Sequence, residues 1–198
     1  MIVGVTGGMG AGKSTVCDVF LEQGALVIEA DVVGHVVVRD PVVVGQLAEA
    51  FGPDIVDENG ELIRREVARR AFVSEAGLER LNAIVWPPLI EQIKTRAEAA
   101  LKEESHRPVV IDAALLVEWG NPKGLCDVLV VVTAPLPVRR ERTMERLGIS
   151  AEEADARMAS QKSVEEKVKV ADYVIENGAS LEAGRRKAQQ VWGEILNV

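Results

Sequence analysis

The chain has 198 residues, 47% of them hydrophobic, with 31 Asp plus Glu against 23 Lys plus Arg and a formal net charge of −8. That length supports one sizeable core, and the acidic balance excludes nucleic acid as an expected partner, because counterion release needs a basic footprint. Two cysteines, Cys17 and Cys126, make no disulfide framework or metal-ligand spacing, and no apolar run reaches membrane-spanning length. The expectation is a monomer in the cytoplasm with no membrane partner.

Residues 2–5, 26–28, 109–111, 128–132 and 173–175 are short, β-branched and apolar on both faces, the pattern of parallel strands covered by helices. Between them, residues 18–23, 65–73, 78–101, 137–147 and 181–196 have helical composition or periodicity. Alternation of this kind predicts an α/β protein, a three-layer sandwich around a parallel sheet. All of 1–198 is expected to form a single domain carrying two excursions.

The first strand runs into Gly7-Gly8-Met9-Gly10-Ala11-Gly12-Lys13-Ser14 and then the helix-like stretch from Thr15. This is GxxxxGK[ST] in its required context, strand before and helix after. Glycines let successive N–H groups turn toward one anion, Lys13 reaches the β- and γ-phosphates, and the Ser14 hydroxyl suits magnesium. The helix start adds partial positive charge at the same spot. ATP-type nucleotide binding with magnesium follows, whereas a bare glycine-rich turn needs neither four glycines nor the lysine.

Asp31 lies just past the second strand, where residues beyond the carboxyl ends of parallel strands face a ligand. It is read as the base that orients an acceptor hydroxyl and takes its proton, with a helix N-cap as the bland alternative. Residues 32–107 are too long for a simple crossover and are expected to form a mainly helical, acceptor-binding excursion over one edge of the nucleotide site. Within it, His35 and Arg64 are candidate acceptor contacts, each equally explicable as surface. Asp112 ends the third strand in the form that supports magnesium, directly or through water, with a turn carboxylate as the competing view. Glu118 reads as facing the crevice or as a solvated loop charge.

The second excursion, 139–169, has eight basic and seven acidic residues in an otherwise acidic chain. It is read as a phosphate-facing helical lid, with Arg142, Arg146 and Arg157 as fork-shaped donors to the nucleotide, against a solvated helix pair laced with Arg and Glu. The tryptophans at 86, 119 and 192 are expected as packing anchors, Trp119 being the substrate-side exception.

Taken in order, these motifs resemble one family. Val5 to Thr15 resembles the phosphate loop TGGxGSGKST of dephospho-coenzyme A kinases. Val27-Ile28-Glu29-Ala30-Asp31 is similar to their VIDAD, and Asp112 to Glu118 to their DxPLLFE. Arg157 to Gln161 resembles the RxxxQ of their lid, and Ala171 to Ile175 with Asn177-Gly178 their last strand and turn. The resemblance implies a P-loop kinase sheet with a helical acceptor-binding insertion and a helical lid, and transfer of the ATP γ-phosphoryl group to the 3′-hydroxyl of dephospho-coenzyme A. It implies that Lys13, Asp31 and Arg142 carry the catalysis. Gly8, Gly10, Ala11, Gly12, Lys13, Ser14, Thr15, Arg142, Arg146, Arg157 and Asn177 would bind ATP. Asp31, His35, Arg64, Asp112 and Leu115 would meet the acceptor, and Ser14 and Asp112 the magnesium ion. Glu29, Trp86, Ala114 and Arg139 depart from the family pattern, where aspartate, histidine, proline and glutamine are usual. A nucleoside or nucleotide kinase is the nearest alternative, and a nucleotide-regulated switch protein the alternative outside enzymes.

Overall fold

The computed structural model describes residues 1–104 and 106–197. Five strands, β1 (Ile2–Gly7), β2 (Leu26–Glu29), β3 (Val109–Asp112), β4 (Val128–Thr133) and β5 (Tyr173–Glu176), form one parallel sheet in the order β2-β3-β1-β4-β5. The helices are α1 (Lys13–Glu22), α2 (Ala30–Val37), α3 (Pro41–Phe51), α4 (Arg64–Ala71), α5 (Glu75–Glu103), α6 (Leu136–Leu147), α7 (Ala151–Ala159), α8 (Val164–Val168) and α9 (Leu181–Leu196). The expected three-layer sandwich and all five strands are present, each strand within two residues of its predicted ends.

Alternation along the strands sends side chains to two faces. On one face Val3, Val5, Val110, Val130, Val132 and Ile175 pack with Val16, Val19 and Phe20 of α1 and Ala188, Trp192 and Ile195 of α9. Phe20 and Trp192 stack with ring centroids 4.4 Å apart. Replacing Trp192 with alanine is expected to cost about 3–5 kcal/mol of stability, measured by urea unfolding, because the hole lies beneath two helices. On the other face Gly4 sits so close to Leu116, Cys126 and Leu129 that a methyl group there would collide with them.

The contacts divide the chain into two compact units. One comprises 1–29 and 97–198 and contains the whole sheet; the other, 30–96, is helical. The helical unit has no strand, only an isolated bridge from Val56 to Leu62. Helix α2 begins directly after β2 and buries Ala30, Val33 and Val37 at helical spacing, although valine by propensity favours strand. Asp31 therefore lies in the first turn of α2 and is not its cap. Helix α3 is capped by Asp40, whose side chain accepts from the Val42 N–H at 2.8 Å, followed by Pro41 at the first helical position. Helix α5 continues through Pro87 and Pro88. Among the described residues no helix is long and apolar enough to cross a membrane.

Candidate active site

In the sheet-bearing unit the loop between β1 and α1 closes on itself through Ala11 N–H to Gly8 O at 3.0 Å. Gly10 and Gly12 have φ of +76° and +82°, a conformation that a Cβ would strain. Space closes the argument for both. A Cβ on Gly10 would strike the Arg139 carbonyl, and one on Gly12 would strike the Asn177 side chain.

Asn177 explains the shape of the loop. It is 3% exposed, follows β5, and donates from Nδ2 to the carbonyls of Ala11 at 3.0 Å and Gly12 at 3.4 Å. Tying two loop carbonyls outward leaves the N–H groups between them to turn the other way, as an anion cradle requires. Gln161 adds a second tie, its Oε1 accepting from the Met9 N–H at 2.9 Å.

Lys13 opens α1, and its ammonium group bonds the Asp112 carboxylate at the end of β3, where Asp112 is in register with Val5. Ser14 is exposed on the first turn of the same helix. Among the described residues no cluster of three or more His, Cys, Asp or Glu side chains is placed to hold a metal ion. One carboxylate and one hydroxyl beside a phosphate cradle are nevertheless the donor set that suits magnesium, which takes its other oxygens from phosphates and water. Burial pushes the Cys17 thiol up to about 12 and that of Cys126 to about 11, so neither is a nucleophile at neutral pH.

Arg142 donates from a terminal nitrogen to the Asn177 carbonyl at 2.9 Å. With Gly12, Thr15, Asn177 and Leu181 it lines a cavity of about 240 Å³. Five of the predicted nucleotide residues thus share one wall or its brace. Arg146 is exposed and lines no cavity described here, and Arg157 forms an exposed ion pair with Glu153 one turn away at 2.7 Å. Arg140 of α6 likewise pairs with Asp155 of α7 at 2.7 Å.

In the helical unit Asp31, His35 and Arg64 line one cavity of about 520 Å³. Asp31 and His35 lie one turn apart on α2, and Arg64 begins α4. The rest of the wall is mainly apolar, with Leu47, Val67, Val85, Trp86 and Leu89. Trp86 is thus a wall residue of this cavity, while Trp192 is a core anchor and Trp119 is half-buried with its indole nitrogen unpaired. Leu115 is half-buried in the turn after Asp112 and lines neither cavity.

Two residues escaped sequence reasoning. Lys167 has no exposed side-chain area and is paired with Glu118 at 2.7 Å. Glu118 is accordingly not a solvated loop charge. No local signal marks such a pair, since 49 residues separate its members.

A family model described as dephospho-CoA kinase matches residues 1–183. The chain belongs to the dephospho-CoA kinase family. Curated members include the dephospho-CoA kinase of Corynebacterium diphtheriae, 38% identical over 96% of this chain and 95% of that one. That of Aquifex aeolicus is also 38% identical, over 98% of this chain and 96% of its own. A crystal structure from Thermus thermophilus superposes with a TM-score of 0.79 at 33% identity, covering 98% of this chain and 97% of that one. The dephospho-CoA kinase of Campylobacter jejuni has a TM-score of 0.61 at 23% identity over 98% and 96% of the two chains, a likeness of fold. Family membership accounts for the loop, the parallel sheet and the helical insertions together.

Proposed function

We infer that this chain transfers the γ-phosphoryl group of ATP to the 3′-hydroxyl of dephospho-CoA, giving CoA and ADP. One observation carries the reading: a single family model spans both the phosphate loop and the segment that forms the Asp31 cavity.

The loop amides around Gly8, Gly10, Ala11 and Gly12 and the start of α1 hold the triphosphate, with Lys13 drawing charge from its terminal oxygens. Ser14 and Asp112 would hold magnesium, which when bound neutralises phosphate charge. Thr15, Arg142 and Asn177 border the nucleotide; Arg142 is held by the Asn177 carbonyl and offers its remaining N–H donors. Arg146 and Arg157 are assigned to the same ligand as lid residues.

In the helical unit the acceptor lies against the apolar wall, with Arg64 and His35 at its polar groups; Leu115 is assigned to the same ligand. Asp31 orients the hydroxyl and takes its proton as the new oxygen–phosphorus bond forms and the bond to the ADP oxygen breaks. The mainly helical stretch 32–107 is thus the acceptor-binding part of the chain and 139–169 its lid.

An ATP-dependent coupled assay with mass readout tests this. Dephospho-CoA should gain one phosphate, and nucleosides and nucleoside monophosphates should not. Transfer to those acceptors alone would replace the reading with a nucleoside or nucleotide kinase. Slow hydrolysis without any transfer would remove the kinase reading.

A further inference from the structure

Lys167 of α8 is, among the described residues, the one charged side chain in the buried set, with no exposed area. Its ammonium group donates to the Ala114 carbonyl at 2.7 Å and to Glu118 Oε2 at 3.0 Å. Glu118 Oε1 also accepts from the Lys162 backbone N–H at 3.0 Å. The Ala114 carbonyl takes a second donor, the hydroxyl of buried Thr6, at 2.9 Å. One residue earlier, Ala113 N–H donates to Val5 O at 3.0 Å. The chain leaving Asp112 is therefore fastened to β1 for two residues past the end of β3, and the final fastening comes from the base of the 139–169 segment.

Burial disfavours the Lys167 ammonium, and the Glu118 carboxylate opposes that shift. An apolar pair of similar volume is commonly as stable as a buried ion pair, so stability alone does not call for a lysine here. An apolar pair, however, has no donor for the Ala114 carbonyl. Two residues back along the same segment stands Asp112, bonded to Lys13.

We propose that Lys167 is a positioning residue for phosphoryl transfer, clamping the Ala114 carbonyl and thereby fixing the aim of Asp112 at Lys13 and at magnesium. The proposal rests on the ATP-dependent kinase reading and adds to it a group that touches neither substrate.

The test is the double variant Glu118→Met with Lys167→Met, which fills the space without leaving a buried charge. Its melting temperature should stay near that of the parent. Its kcat should fall about 10- to 100-fold, as when a group supporting a metal ligand is removed, with the dephospho-CoA KM within about twofold. The magnesium concentration giving half-maximal ATP affinity, measured by calorimetry without acceptor, should rise several-fold. Thr6→Val removes the other donor at nearly constant shape and should move kcat and the magnesium midpoint the same way by about threefold. If the double variant does not fold, Thr6→Val decides the matter.

A folded variant with parental kcat and parental magnesium midpoint would overturn the proposal. So would a loss confined to the dephospho-CoA KM. Failure of the parent protein to phosphorylate dephospho-CoA would instead remove the functional reading, while the magnesium–ATP midpoint would still judge the clamp.

Discussion

Replacing Lys13 with alanine is expected to lower kcat with dephospho-CoA by about a thousandfold, or about 4 kcal/mol of barrier, while the fold survives. Lys13 is placed by the backbone at the start of α1, directly after Gly12 in its left-handed conformation. The loop is held by Asn177 and Gln161 through the backbone groups of Met9, Ala11 and Gly12, contacts that the substitution leaves in place. The local loss includes the ion pair to Asp112, whose two side chains are 20% and 13% exposed. Melting should therefore move by a few degrees at most. A coupled assay and a thermal scan on the same preparation check both halves. Unchanged turnover in a folded variant would strip Lys13 of its role.

Asp31→Asn is expected to reduce kcat by about 10²- to 10⁴-fold, the range for loss of a positioned base, with acceptor KM changing only a few-fold. The geometry makes this a clean substitution. Asp31 is exposed, so the change to the amide is isosteric and made at the surface. The stability cost is limited to the favourable placement of a negative charge in the first turn of α2, a few tenths of a kcal/mol to about 1 kcal/mol. Steady-state kinetics in both substrates checks it. A normal turnover number would remove Asp31 as the base, and a collapse of acceptor affinity alone would make it a binding residue.

The sheet was legible because its central strands β1, β3 and β4 are buried on both faces and so appear as unbroken apolar runs, with β2 and β5 apolar enough to follow them. The phosphate loop was legible because backbone conformation restricts it to glycine and chemistry restricts it to lysine and a hydroxyl. Helices α2 and α3 were legible only as part of a mainly helical stretch, without their bounds. Val32-Val33, Val36-Val37-Val38 and Val42-Val43-Val44 favour strand by propensity, and tertiary burial on one helical stripe overrides them. The available signals were the spacing of Ala30, Val33 and Val37 and the Asp40-Pro41 start, each of which needs no structure to notice. Of the three arginines read as phosphate donors, Arg142 reaches the loop's brace and Arg146 does not, since side chains four residues apart on α6 share a face without sharing its depth. The Lys167–Glu118 pair was illegible in principle, because a charge pattern cannot say which lysine is desolvated.

The Asn177 brace has a consequence for how the molecule comes into being. Residues from the start of the polypeptide are given their working form by one from near its finish, with Gly184 of α9 leaving room for that side chain. While translation has not yet passed the fifth strand, the emerging chain already carries its complete glycine motif but cannot shape it. The brace on the glycine loop thus forms only after β5 has been made.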